Sequence, residues 1–394
     1  MATIQPVSLI ICCEGLGGTG AVANVAWQQA LRLSCWQPVC LLSDGLSLER
    51  RGQLLDQPVS VQVVTVEVPS CSWLRRLAHL PRQLAWIGLA LGALRQRLPA
   101  HGATVICHSH PLAAAVAFWF GRRVQLVLVS HGDIFHRPPG TYDAGLTWLY
   151  RCTTGYAHRR ADQSVALSPV MRDRIRAHGV PADRIALIPN GLDPEEIGLT
   201  AAPSCAPAHW HQEPLQLLFV GRLDPVKGIE VMLEALALAL QAGMKLQLDL
   251  IGSGPPGRLR QLEQRSCQLG IDATLRWLGP QPRHSLAAHY GRSHLVLVPS
   301  LDDPLPTVVL EAMACGRPVL GSAVGGIPYL LGDGEGGVLV PPGQPRPLAE
   351  ALARLDGDRN ALAALGAAAL ARSRHYTWAA NGQALEALIR ISSH

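Results

Sequence analysis

The feature that most constrains the fold is a regular alternation of short apolar runs with helical patterns along almost the whole chain. Such alternation is typical of βαβ units, which build a parallel, doubly wound sheet. Strands are predicted in the first half at 7–13, 38–42, 61–66, 104–107, 124–129, 164–167 and 185–188. In the second half they are predicted at 215–220, 246–251, 274–277, 295–298, 318–321 and 337–340. The sequence therefore predicts an α/β protein with two Rossmann-like parallel sheets.

An Ala- and Pro-rich segment without periodicity, 199–214, separates the two sets of strands and is interpreted as a linker. A chain of 394 residues has room for two or three domains of roughly 150 residues. We predict a first domain at 1–198, a second at 199–376 and a terminal helix at 377–394.

An acidic, Pro-rich loop follows the predicted strand at 295–298 and leads into a helix from about Thr307. It places Asp303 on the loop and Glu311 on the helix. The free N–H groups and the dipole at a helix N-terminus favour an anionic ligand. The two carboxylates add acceptors for neutral hydroxyls, such as those of a sugar or a ribose.

Two cations, Arg222 and Lys227, follow the strand at 215–220 and precede a helix. Lysine occurs elsewhere only at Lys245, so general surface composition does not account for Lys227. A guanidinium and an ammonium can neutralise a leaving diphosphate directly. The alternative is that they form surface ion pairs with Asp224 and Glu230.

Together these two blocks, 219–228 and 298–316, resemble the retaining glycosyltransferases of family 4, which have a GT-B fold. That resemblance implies two Rossmann-like domains facing across a cleft, with the chain end crossing back onto the first. It also implies transfer of a sugar from a nucleotide-diphosphate-sugar to a hydroxyl acceptor, such as a glycan, a lipid-linked acceptor or a small molecule. The family usually has Glu as its first acid, whereas this chain has Asp303.

The resemblance assigns roles to individual residues. Arg222 and Lys227 would hold the diphosphate, Asp303 the donor sugar and Glu311 the ribose, and the first three of these would take part in catalysis. The full predicted donor-binding set is Gly17, Gly18, Arg222, Lys227, Gly252, Gly254, Asp303, Leu305, Pro306, Thr307 and Glu311. Because Asp302-Asp303 is not a D-x-D pair, we expect no metal and no cofactor beyond a UDP- or GDP-sugar co-substrate.

Two His-bearing loops follow strands of the first half, at the edge where parallel sheets bind ligands. His131 resembles the family's histidine that approaches the transferred sugar, and we predict that it is catalytic. His108, His110 and Asp133 are predicted on the acceptor side. One of the two histidines at 108 and 110 could instead cap the next helix.

Other functions stay open at this point. Gly15, Gly17 and Gly20 form a G-x-G-x-x-G match, and Asp44 follows the second predicted strand, which would suit an NAD-dependent oxidoreductase. That alternative leaves the four charged residues of the second half without a role. A non-catalytic relative or a nucleotide-sugar epimerase on the same fold is a further alternative.

Composition limits location and partners. The net charge of +5 is too small to indicate nucleic acid. Ten cysteines without a C-x-x-C pair suggest buried reduced thiols, not zinc, and no signal peptide is recognised, so we expect a cytoplasmic protein. The arginine-rich helical pattern at 73–97 is either an ordinary surface helix or an interfacial helix on anionic membrane, at its inner face. Its apolar run at 84–94 is too short to span a bilayer.

Overall fold

The computed structural model describes residues 8–14, 16, 20–56, 60–66, 79–132, 144–205 and 214–391. The chain forms two compact units, one made of Met1–Asn190 with Trp378–His394 and the other of Gly191–Thr377. The domain limits predicted at 198/199 and 376/377 stay predictions.

The first unit contains a seven-stranded parallel sheet in the order β3-β2-β1-β4-β5-β6-β7. Its strands are β1 Leu9–Cys12, β2 Val39–Ser43, β3 Val61–Thr65, β4 Ala103–Cys107, β5 Val124–Ser130, β6 Gln163–Ala166 and β7 Ile185–Leu187. Its helices are α1 Ala21–Leu33, α2 Leu48–Asp56, α3 His79–Arg97, α4 His110–Phe120, α5 Ala144–Arg160 and α6 Pro169–Ala177. Strands β1, β2 and β4 are buried throughout because helices cover both faces of such a sheet.

The second unit contains a six-stranded parallel sheet in the order β10-β9-β8-β11-β12-β13. Its strands are β8 Leu215–Val220, β9 Leu246–Ile251, β10 Leu275–Gly279, β11 Leu295–Val298, β12 Val319–Ser322 and β13 Gly337–Val340. Its helices are α7 Ile229–Gln241, α8 Arg258–Leu269, α9 Leu286–Arg292, α10 Thr307–Ala314, α11 Ile327–Leu331, α12 Pro345–Gly357 and α13 Arg359–Ser373. The predicted pair of parallel α/β sheets is confirmed.

The last helix, α14 Trp378–Ile391, belongs to the first unit, where it packs on α1. Asn381 anchors it: its amide nitrogen donates to the carbonyl of Pro189 at 2.7 Å, and its amide oxygen accepts from Gln29 at 3.3 Å. Both bonds are buried or partly buried, so they satisfy polar groups that burial would otherwise penalise.

Pro81 belongs to the described part of the helical pattern that precedes β4. It lies in the first turn of α3, where the missing N–H has no partner to lose. Residues 73–78 of the predicted pattern lie outside the described residues. No helix in the described ranges is both long and apolar enough to cross a bilayer.

The strand order of each sheet reverses direction once, and this fixes where a ligand can approach. In the second sheet β9 lies on one side of β8 and β11 lies on the other. The crevice outside the carboxyl ends of such a strand pair is the usual ligand site of an open α/β sheet. In the first sheet the corresponding pair is β1 and β4.

Candidate functional site

Two loops meet at the carboxyl ends of β8 and β11 in the second unit. The amide of Leu301 donates to the carbonyl of Val226 at 2.8 Å, which ties the two loops together through their backbones. Gly228 lies beside Pro299 with a φ of 67°, and a Cβ there would stand 2.0 Å from the Pro299 carbonyl oxygen. Only glycine fits this conformation and this spacing.

The contact between the loops brings a predicted cation to a predicted acid. Lys227 Nζ donates to Asp303 Oδ2 at 2.5 Å, and the Asp303 side chain is only 9% exposed. A charge-assisted hydrogen bond of this kind is among the stronger ones in proteins. Two residues 76 positions apart in the sequence therefore form one polar centre.

A third loop, which follows β12, holds the backbone of Asp303. The amide of Gly326 donates to the Asp303 carbonyl at 3.0 Å. Gly325 has a φ of 59°, and a Cβ on it would lie 1.8 Å from the same carbonyl oxygen. The sequence interpretation missed this glycine pair, although two adjacent glycines after a strand are a usable signal of close backbone approach.

Arg222 follows β8 but does not join the Lys227–Asp303 centre. Its side chain is 65% exposed and pairs with Asp224 at 2.9 Å. Half of the surface-pair alternative is therefore seen. The predicted pair between Lys227 and Glu230 is not formed. Glu230 pairs with Arg258, and Lys227 pairs with Asp303.

Glu311 is buried on α10, and each of its carboxylate oxygens has a protein partner. Oε1 accepts from Arg283 at 3.0 Å, and Oε2 accepts from the Tyr290 hydroxyl at 2.9 Å. Burial and the charge of Glu311 raise the pKa of Tyr290, which keeps it a neutral donor. Burial alone would lower the pKa of Arg283, but the charges of Glu311 and Glu196 outweigh it and raise that pKa.

The sequence interpretation missed Tyr290 because nothing in the pattern of α9 marks a buried hydroxyl donor. Glu196 was missed as well; its Oε2 lies 3.4 Å from Arg283 Nε. A carboxylate has about four lone-pair positions, so Glu311 can still accept from a ligand hydroxyl.

The remaining predicted donor residues lie on the same loops. Gly252 follows β9, and its amide bonds the Gly279 carbonyl at 2.9 Å. Gly254 is exposed two residues further on. Buried Leu305 and Pro306 lead directly into Thr307, the first residue of α10. Gly17, Gly18 and Asp133 lie outside the described residues.

In the first unit, two of the predicted histidines bond each other. His108 follows β4 and His131 follows β5, and their Nδ1 and Nε2 atoms are 2.8 Å apart. Burial, then the charge of His110, lower the pKa of His131 to about 3. Burial and His131 likewise lower the pKa of His108, so both imidazoles are neutral near pH 7.

His110 has a different environment from the other two. It is the first residue of α4, its Nε2 lies 3.3 Å from the Ser130 hydroxyl, and it is 4% exposed. Its ring also packs edge-on against His158. His110 is thus part of the packing beneath the loops.

No group of three or more His, Cys, Asp or Glu side chains within the described ranges is arranged to hold a metal ion. The described cysteines are free thiols, and Cys12, Cys13, Cys40 and Cys107 are buried as expected.

Comparison with family models matches both halves of the chain. Residues 47–196 match Glycosyltransferase Family 4, and residues 207–372 match Glycosyl transferases group 1.

Curated relatives include the D-inositol 3-phosphate glycosyltransferase of Corynebacterium diphtheriae, 28% identical over 356 residues, which is 86% of this chain and 82% of the relative. The enzyme of the same name from Corynebacterium efficiens is 34% identical over 174 residues, 43% of this chain and 41% of the relative. The match spans about half or less of the length of the first three relatives.

Two solved structures show the same fold at low sequence identity. Sucrose-phosphate synthase from Thermosynechococcus elongatus gives a TM-score of 0.77 at 21% identity, covering 97% of this chain and 98% of that one. Anabaena HepE in complex with UDP and glucose gives 0.74 at 19% identity, covering 98% and 99%.

The fold and the two family matches define a GT-B protein of the glycosyltransferase class. The chain belongs to the family 4 glycosyltransferases of the group 1 type. The predicted family and the predicted GT-B fold are confirmed.

Because the two loops approach closely at Gly228, we predict that Gly228→Ala destabilises the protein by more than the strain of a positive φ alone would. Gly270 is the matched control, because its φ is 68° and a Cβ there meets nothing within 4 Å. We expect Gly270→Ala to cost about 1 kcal/mol and Gly228→Ala about 2 kcal/mol more from overlap with Pro299. Urea denaturation of the full chain measures both, and equal losses would contradict the close approach.

Proposed function

We propose that this chain transfers a glycosyl group from a nucleoside-diphosphate sugar to a hydroxyl acceptor with retention of anomeric configuration and without a metal ion. The observation that carries the proposal is the Lys227–Asp303 centre at the carboxyl ends of β8 and β11. It joins a cation for the diphosphate to an acceptor for sugar hydroxyls at the position where the sheet leaves room for a ligand.

Breaking the bond between the sugar and the diphosphate leaves extra negative charge on the diphosphate. The Lys227 ammonium can neutralise this charge as a point charge, and the Arg222 guanidinium can do so as a bidentate hydrogen-bond donor. The Arg222 side chain is 65% exposed and its described ion pair is with Asp224, so a bound diphosphate can compete for the guanidinium. A fixed positive group that acts mainly on the transition state raises the rate, not only the affinity.

The carboxylates would bind the neutral parts of the donor. Asp303, freed in part from Lys227 when the diphosphate arrives, accepts from the hydroxyls of the sugar. Glu311 accepts from the ribose while Arg283 and Tyr290 hold its orientation. An orientation fixed by two protein partners limits the reorganisation needed when the donor binds.

Retention needs no carboxylate nucleophile in this scheme. The anomeric carbon loses its bond to the diphosphate oxygen and gains one to the acceptor oxygen on the same face. The acceptor proton passes to the leaving phosphate. The neutral imidazole of His131 is a hydrogen-bonding partner for the transferred sugar, and His108 orients it through their 2.8 Å contact.

UDP is the nucleotide we propose, since similar solved structures carry UDP alone or with glucose. The acceptor is a hydroxyl compound, and the curated relatives are described as acting on D-inositol 3-phosphate. The buried free thiols of this chain suit a reducing compartment, so we propose a cytoplasmic enzyme.

A donor screen tests the proposal as a whole. UDP-sugars should raise the melting temperature of the full chain more than GDP-sugars do, because a ligand that binds only the folded state stabilises it. Transfer should persist in EDTA. Tight binding of NADH without binding of any nucleotide sugar would overturn the proposal in favour of an oxidoreductase. Activity lost in EDTA and restored by Mn²⁺ would contradict metal independence.

Arg222→Ala and Asp224→Ala separate a leaving-group role from a surface ion pair. If Arg222 stabilises the leaving diphosphate, its loss should lower kcat by about 100-fold or more. Asp224→Ala removes the same ion pair but keeps the guanidinium, and it should change kcat by less than about fivefold, since a pair whose cation is 65% exposed contributes little. Steady-state kinetics with the best donor decides, and similar small effects in both variants would remove Arg222 from the mechanism.

His131 should act as a neutral group throughout the physiological range. A lowered pKa of about 3 means that protonation of His131 sets in only in strong acid. The pH profile of kcat/KM should therefore show no change between about pH 5 and 8 that depends on this residue. A limb near pH 6.5 that disappears in His131→Gln would show that the imidazole titrates during the reaction.

A further inference from the structure

The amino ends of four adjacent strands of the first sheet, β4 to β7, form one edge with an unusual composition. Four helix-to-strand turns lie there, at 95–102, 118–123, 159–162 and 174–184, and we call them together the basic edge. They contain nine arginines and two aspartates, without lysine or glutamate. Their net charge of +7 exceeds the +5 of the whole chain, so the rest of the chain is net negative.

Phe118 and Trp119 stand out on this edge because they are 71% and 69% exposed. Their rings contact each other edge-on with centroids 5.7 Å apart. The exposed Arg122 and Arg123 follow directly. Neither arginine pairs with a carboxylate in the part of the chain that the structure describes.

Favourable placement of arginine at helix C-termini explains only part of this pattern. A helix C-terminus carries roughly half a negative charge, less than the two or three arginines in each turn supply. The dipole also gives no reason for two large aromatic side chains to face water, where they lose the benefit of burial.

We propose that the basic edge docks the protein on the surface of an anionic lipid bilayer. Neighbouring strands are about 4.8 Å apart, so the four turns spread positive charge over about 15 Å of one edge, which suits a plane of headgroups. Phe118 and Trp119 provide the apolar insertion at one point, as aromatic side chains do at membrane interfaces. A single-stranded nucleic acid would instead need a series of stacking platforms, and the other three turns contain no Phe, Tyr or Trp.

This surface is distinct from the candidate site. His108 and His131 follow β4 and β5 at the opposite, carboxyl edge of the sheet. The seven residues of β5 span about 20 Å, so docking leaves the carboxyl edge free for soluble molecules. The proposal does not depend on the transfer reaction, and the two can fail separately.

Sedimentation of the full chain with lipid vesicles tests the proposal. We expect binding to phosphatidylcholine vesicles that contain phosphatidylglycerol, weakening as salt rises, and little binding to phosphatidylcholine alone. Arg122→Glu with Arg123→Glu should lower the binding by about tenfold or more. Phe118→Ser with Trp119→Ser should also weaken it.

The matched control reverses two exposed arginines of the second unit, Arg346→Glu with Arg354→Glu, which changes the net charge by the same amount. The control should retain vesicle binding, and all variants should retain transfer to a soluble acceptor. Equal binding to neutral and anionic vesicles, or equal losses in control and test variants, would overturn the proposal. Tighter binding to single-stranded RNA than to anionic vesicles would assign the edge to nucleic acid instead.

Discussion

The close approach of two loops at the point where the second sheet changes direction is the constraint on which the candidate site depends. Gly228 allows the chain to pass against Pro299, and only then can Lys227 reach Asp303. Gly325, on the loop that follows β12, allows an equally close approach to the Asp303 carbonyl. The site is thus built on backbone contacts, and its charged side chains are held by loops that cannot move apart without losing hydrogen bonds.

The two units share a strand arrangement but carry different groups at the carboxyl ends of their strands. In the second, opposite charges lie side by side at the strand ends, where a diphosphate can replace the carboxylate beside Lys227. In the first, the strand ends carry neutral imidazoles, because burial makes protonation of His131 and His108 unfavourable. In the function we propose, the charged groups of the second unit bind the donor, and the neutral imidazoles of the first unit supply hydrogen bonds.

The periodicity of the sequence was sufficient for the fold. Each predicted strand is present within a few residues of its expected position, since an apolar run flanked by helices has few alternatives to a buried parallel strand. The motifs likewise placed Lys227 after β8, Asp303 after β11 and Glu311 on the helix that follows, where the structure has them. They did not reveal that Glu311 is shared by Arg283 and Tyr290, because those partners lie on other segments, 28 and 21 positions away in the sequence.

The sequence by itself determined the elements, their order and the identities of the charged residues, because local periodicity and local motifs are written in consecutive positions. Only the tertiary structure decided which charges meet. It paired Lys227 with Asp303 and left Arg222 exposed with Asp224. It also gathered arginines from four separate turns onto one edge. Pairing across strands depends on strand order and on how closely backbones approach, and neither is encoded within a single segment.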